Sequence, residues 1–236
     1  MKSLRGQKIA VTGGAGGIGF AVAEAAVARG ASTVLLGRTE SALDEAVERL
    51  GPSASLLAVD VTDAGAVAEA FAAIGPLDHL AACAYESYAG PFAELDRERV
   101  RSFVETKLWG QYNCAASALP HLSPTGSVVL FSGFLNRRGK PGTVPFAIAN
   151  GAVEGLVRGL ALDIAPVRAN AVSPGQIDTF ADRMSPERHE EYLAEAAGAN
   201  ALGRPGTPAE AAHAALFLME NSHMTGAVVD VDGARL

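Results

Sequence analysis

Short apolar runs rich in β-branched residues alternate along this chain with longer, alanine-rich stretches of helical period, and no other feature restricts the fold as much. The runs are KIAVTG, STVLLG, ASLLAVD, LDHLAA, GSVVLFS, VRANAVS and GAVVDVD. Among them the periodicity predicts helices over 18–29, 41–50, 64–74, 100–119, 144–164, 187–197 and 209–220. Strands joined through helical crossovers pair in parallel, and a parallel sheet has to be covered on both faces. The expected fold class is therefore α/β, a doubly wound parallel sheet with helices on both faces. No linker, charge block, repeat or low-complexity tract divides residues 1–236, so a single domain is expected. Its polar, Gly- and Pro-punctuated stretch 176–208 is the segment expected to be mobile and to cover a substrate.

Composition narrows the partners. Hydrophobic residues make up 49% and charged residues 19%, which excludes a disordered acidic chain and a coiled coil. Nineteen basic against 26 acidic side chains leave a net charge of −7. With no basic excess to displace phosphate counterions, nucleic acid is not an expected partner and a small-molecule substrate is. Cys83 and Cys114 cannot build a disulfide framework, and neither has a metal ligand at suitable spacing, so no metal is expected. No run reaches about 18 uninterrupted apolar residues and MKSLRGQ lacks a signal-peptide pattern; no membrane span and a cytoplasmic location are expected.

TGGAGGIG, running from Thr12 to Gly19, follows the first strand directly and opens the first helix. Gly13 can make the tight turn, Gly17 can let the backbone approach a pyrophosphate, Gly19 can let helix and strand pack, and the helix N-terminus offers N–H groups to phosphate. That context makes the sheet Rossmann-type and the domain dinucleotide-binding. At the end of the second strand an NAD site places an acid on the ribose 2′-hydroxyl, whereas this chain has Gly37 and Arg38. A guanidinium there can pair with a 2′-phosphate, which selects NADP(H) as the cofactor; the other reading is a solvated surface arginine. Asp60 and Val61, after the third strand, would sit beside the adenine.

These motifs resemble the short-chain dehydrogenase/reductase family over nearly the whole chain. Thr12, Gly13, Gly17, Ile18 and Gly19 are similar to the family's cofactor turn, and Asp60-Val61 to its adenine contact. NAVSPGQIDT is similar to its Asn-x-x-x-Pro-Gly-x-x-x-Thr segment at Asn170, Pro174, Gly175 and Thr179. LGRPGTPAEAAHAALFL and TGAVVDVDG resemble its C-terminal signature. The resemblance implies that the Ile177 backbone and the Thr179 hydroxyl hold the nicotinamide carboxamide, with Pro174 and Gly175 shaping the turn. It also implies a homodimer or homotetramer built through the helices over 100–119 and 144–164.

The same resemblance exposes four departures. Family chemistry rests on Asn, Ser, Tyr and Lys, the last two on one helical face. Anchored on GAVEGL, the Lys position is Asn150 and the Tyr position Phe146; the Ser position falls on Gly133, one residue after Ser132; anchored on KLWG, the Asn position is Lys107. The family's Asn-Asn-Ala-Gly reads Ala82-Cys83-Ala84-Tyr85, keeping Ala84 as a backbone contact to cofactor. Lys and Asn have exchanged places, so the ammonium has changed helices within one cavity, or both positions have drifted with loss of activity. Lys107 is the candidate acid and Ser132 a candidate oxyanion donor, with a hydroxyl bonded to local backbone as the alternative. Asn150 would keep the nicotinamide ribose. Tyr85 would narrow the pocket, Cys83 reads as an inert thiol without a basic activator, and Arg137, Arg138 and Lys140 read as a solvated loop. Three functions remain open: an NADP(H)-dependent oxidoreductase acting on a carbonyl/alcohol pair through a non-standard site, a non-catalytic NADP(H)-binding or sensing protein, and a non-redox isomerase or dehydratase.

Overall fold

The computed structural model describes residues 3–179 and 184–234; residues 180–183 of the segment 176–208 lie outside the described residues. Seven strands form one sheet: β1 (Lys8–Thr12), β2 (Ser32–Gly37), β3 (Ala54–Ala58), β4 (Leu77–Ala82), β5 (Leu122–Phe131), β6 (Arg168–Pro174) and β7 (Val228–Val231). Their order is β3-β2-β1-β4-β5-β6-β7, and every pairing is parallel. The expected α/β doubly wound sheet is thus present.

Period-two alternation divides the core. Ile9, Val11, Val129 and Phe131 face α1 (Gly17–Ala28), α2 (Glu40–Leu50) and α8 (Pro208–Glu220), while Ala10, Val128 and Leu130 face the opposite layer. That layer comprises α3 (Ala64–Ile74), α5 (Gly110–Ala118) and α6 (Val144–Asp163). The remaining helix, α7 (Pro186–Gly198), follows the undescribed residues. Helix starts follow local chemistry: Asp63 accepts from Ala66 N–H at the start of α3, and Thr207 and Glu210 form a reciprocal capping box on α8.

One expectation needs correction. The uniform helix predicted over 100–119 is α4 (Arg97–Val104), then a π-helical turn over Glu105–Trp109, then α5. Gly110 N–H reaches back to Glu105 O, five residues away, widening the helix at Lys107. Apolar periodicity does not report such a turn, because the faces on either side still point into the core.

The strand order reverses between β1 and β4, so a crevice opens beyond their carboxyl ends. Thr12 fixes its edge: its carbonyl accepts from Cys83 N–H at 3.2 Å and its buried hydroxyl from Ala84 N–H at 3.1 Å, tying the chain after β4 to the end of β1.

Candidate active site

A cavity of about 890 Å³ occupies that crevice. One half of it is lined by Gly13, Gly17, Ile18 and Gly19 from the β1–α1 turn, Arg38 from the end of β2, Asp60 and Val61 after β3, and Ala84 after β4. Pro174, Gly175, Ile177 and Thr179 close it from the β6 side. Thr12 is not among the lining residues; it acts from behind, through the two bonds above. A Cβ on Gly19 would lie 2.2 Å from Gly13 O, so only glycine permits the turn to fold onto the first turn of α1. A Cβ on Gly17 would stand 3.4 Å from Thr179 Cγ2, which shows how closely the two distant motifs meet. Gly16 at the α1 N-cap has no capping side chain, so the opening N–H groups face the cavity without a competing acceptor. Asp60 Oδ1 accepts from Thr62 N and Oγ1 at 2.9 and 2.8 Å.

The other half of the cavity is lined by Tyr85, Lys107, Ser132, Gly133, Phe146 and Asn150. Lys107 is 5% exposed, yet it lines the cavity from the π turn. Its Nζ donates to Ser132 O at 3.0 Å and lies 5.4 Å from the centre of the Tyr85 ring. Burial disfavours the charged form and lowers this lysine from about 10.5 to about 8. One of three ammonium protons is used by Ser132 O, leaving donors for another oxygen. Phe146, one turn before Asn150 on α6, has no donor; its ring packs edge-on against Phe103 at 4.8 Å and beside Tyr85 at 6.3 Å.

Gln111, which sequence reasoning passed over, holds this lysine in place. Its Nε2 donates to Lys107 O at 2.6 Å and Phe131 O at 3.0 Å, and its Oε1 accepts from Phe131 N–H at 2.8 Å. The carboxamide pairs with β5 as a strand would, after β4 has ended beside it. Both ends of Lys107 are therefore tied to the end of β5, the carbonyl through Gln111 and the ammonium through Ser132. The available signal was an amide one helical turn beyond Lys107, on a face otherwise apolar.

Ser132 supplies its carbonyl to the lysine; its single hydroxyl proton has Glu154 Oε1 at 3.4 Å and Val172 O at 3.5 Å as acceptors, groups far away in sequence rather than local backbone. Gly133, with φ of +156°, leaves no room for a side chain: a Cβ there would lie 2.9 Å from Asn150 Nδ2. Asn150 is 2% exposed and its Oδ1 has no partner among the described residues, although the residue lines the cavity. An unpaired buried acceptor costs about 1–3 kcal/mol, and a ligand hydroxyl would recover it.

Three of the expectations need amending. Arg137 lies on an exposed loop, as expected, but it is not free: it pairs with both carboxylate oxygens of Asp230, donates to Ser173 Oγ at 2.8 Å and lies 3.3 Å from Glu154, joining the loop after β5 to β6, β7 and α6. Cys83 does have a basic neighbour, because the charge of Lys107 acts on it; burial outweighs that charge and pushes the thiol well above its ordinary value, so it stays protonated. Lys140, also expected in a solvated loop, pairs with Glu195 of α7 at the cavity wall. His189 was missed as well; its Nε2 meets Asp178 at 2.9 Å, and Tyr192 donates to Ile177 O at 3.1 Å, fastening α7 over the Pro174–Thr179 turn. Among the described residues no group of metal ligands occurs, and no helix is long and apolar enough to cross a membrane.

The family model described as enoyl-(acyl carrier protein) reductase matches residues 13–234. The chain is 32% identical to the short-chain reductase protein NovJ of Streptomyces niveus, over 95% of this chain and 92% of that one. It is 32% identical to the 3-oxoacyl-[acyl-carrier-protein] reductase FabG of Chlamydia muridarum, over 99% of each chain. Among solved structures it resembles a short-chain glucose/ribitol dehydrogenase of Brucella melitensis, with a TM-score of 0.91 and 30% identity over 99% of this chain and 98% of that one. The fold and the crevice define a nicotinamide-dependent class of oxidoreductase, and the chain belongs to the short-chain dehydrogenase/reductase family.

Proposed function

We propose that this chain is an NADP(H)-dependent oxidoreductase that interconverts a carbonyl and an alcohol, with Lys107 in place of the family's tyrosine. The observation that carries this reading is the buried Lys107 ammonium in the cavity, beside a Phe146 that cannot donate. Bound NADP(H) supplies the hydride. Arg38 at the exposed rim, with no ion pair among the described residues, suits a 2′-phosphate, and Thr39 at the α2 N-cap uses no side-chain cap of its own. Gly13 to Gly19 and the α1 N-terminus suit the pyrophosphate, Asp60 and Val61 the adenine, and the partnerless Oδ1 of Asn150 a nicotinamide ribose hydroxyl. Ala84, Pro174, Gly175, Ile177 and Thr179 would flank the nicotinamide.

As negative charge grows on the carbonyl oxygen, Lys107 holds it by hydrogen bond and gives up a proton; a group near pH 8 matches that task at physiological pH. Ser132 anchors the ammonium through its carbonyl, and Gln111 and the Glu154–Arg137 pair hold Ser132 and β5 in register. The segment 176–208 would cover the substrate, with α7 as its ordered part. A homodimer or homotetramer is supported by exposed Trp109 and Tyr112 on the α4–α5 helix and Ile148 on α6, and a cytoplasmic location by two free cysteines. The test is calorimetric binding of NADPH and NADH beside a screen for NADPH consumption over aldehydes and ketones. Tighter NADPH binding that Arg38→Ala abolishes, together with turnover, is the expected result; equal affinities refute the cofactor reading, and binding without turnover on every carbonyl identifies a sensor.

A further inference from the structure

The substrate half of the cavity differs from its cofactor half in how little polar capacity it has left. Thr143 Oγ1 donates to Lys140 O at 2.6 Å, and Thr106 Oγ1 to Glu86 Oε2 at 3.3 Å. The Ser132 hydroxyl is turned to Glu154, and the Tyr192 phenol to Ile177 O. Lys140 and Glu195 neutralise one another, and Gln176 has a partner of its own. A polyhydroxylated ligand is recognised by planar side chains that bond neighbouring hydroxyls in pairs; the open acceptor among the described lining residues of this half is Asn150 Oδ1, which the reading above gives to the nicotinamide ribose, while Glu195 is taken by Lys140 and the Tyr85 phenol bonds Ser87. Burying several hydroxyls here without partners would be costly.

What the wall offers instead is aromatic surface. Tyr85 and Phe146 lie tilted to one another at 6.3 Å between centroids, and Phe103 supports Phe146 edge-on from behind at 4.8 Å. Phe134 lines the cavity from the turn after β5. Lys107 Nζ stands at the edge of this wall, over the Tyr85 ring, as one buried donor beside an apolar surface. Flat rings bind such a wall by offset or edge-on packing.

We infer that the substrate is a planar, ring-bearing carbonyl compound, an aryl aldehyde or ketone, whose single oxygen is met by Lys107 while its ring lies against Tyr85 and Phe146. This rests on the reading of Lys107 given above and adds the chemical class that reading leaves open. The reaction balances as a reduction: hydride joins the carbonyl carbon, the C=O π pair becomes an O–H bond with the proton from Lys107, and NADPH leaves as NADP⁺.

The experiment compares kcat/KM with NADPH for 2-naphthaldehyde and 1-indanone against glyceraldehyde and an aldohexose. In parallel, 1-indanol and sorbitol are titrated calorimetrically into the protein loaded with NADP⁺. The expected result is a preference of about 10²-fold or more for the ring compounds, measurable binding of 1-indanol and none of sorbitol. Tyr85→Ser, on a half-exposed side chain, should reduce the aryl preference about tenfold through KM; Phe146→Leu should do so from the helix side. Equal or better turnover or binding of the polyols, or an aryl preference untouched by both variants, overturns the inference. The alternative failure is separable: if ring compounds bind and are preferred but Lys107→Ala keeps full turnover, the donor assignment falls and the substrate class stands. If nothing turns over, the alcohol titration still decides the class.

Discussion

Replacing Lys107 by methionine should leave the protein at least as stable at neutral pH while disabling it. Burial lowers this lysine from 10.5 to about 8, and 2.5 units at about 1.36 kcal/mol each put the cost of keeping it charged at about 3 kcal/mol. Because the folded value lies below the unfolded one, the unfolded chain binds more protons between pH 8 and 10.5, so stability rises with pH across that window. The cost is fully present below pH 8 and has largely gone by pH 10. Lys107→Met fills similar volume without charge but strands Ser132 O, a loss of about 1–3 kcal/mol. The variant should therefore match the parent or exceed it by up to about 2 kcal/mol at pH 7 and hold no advantage at pH 10. Urea unfolding of both proteins at the two pH values measures this. A variant less stable at pH 7, or an advantage that does not change with pH, would refute the burial argument.

Other consequences follow from the same geometry. Gln111→Leu removes three hydrogen bonds to backbone and should cost about 2–4 kcal/mol in urea unfolding, with a drop in kcat larger than any change in KM; unchanged stability would show that the carboxamide is not the tie between the π turn and β5. Phe146→Tyr alone should leave kcat within about twofold of the parent, because neutral Asn150 cannot lower a phenol from its usual value of about 10; a large rise would mean the family's arrangement needs no ammonium at position 150. Light scattering at micromolar concentration should give a dimer or tetramer, and a 24 kDa particle would contradict the proposed use of the Trp109–Tyr112 face.

Much of this was readable in the sequence because it depends on local pattern. The seven strands follow from apolar runs, and the gathering of the glycine turn and the short motifs around one cavity from spacings fixed by the turns they make. Lys107, Phe146 and Asn150 stood out because neighbouring residues anchor them against the family pattern, and the fold brings all three to the cavity wall. The π turn left no such trace, since it shifts hydrogen bonds without disturbing periodicity. Gln111 was overlooked because its partners, Phe131 and Lys107 backbone, carry no sequence signal. The basic loop is exposed as its composition suggests, but its ion pair could not be read, because Arg137 meets Asp230 across 93 residues, a pairing that only the fold creates. Cys83 lacked a basic neighbour in sequence and gained Lys107 in space.

The central claim is that Lys107 donates to the reacting oxygen, and pre-steady-state oxidation of NADPH by the parent and Lys107→Met, followed from pH 6 to 10, tests it most directly. For the parent the rate should fall as pH rises through about 8, where the ammonium is lost. For the variant it should be lower by about 10²-fold or more at pH 7 and without that fall, while NADPH affinity stays within about twofold. A variant that retains the parent's rate, or that shows the same fall near pH 8, would contradict it.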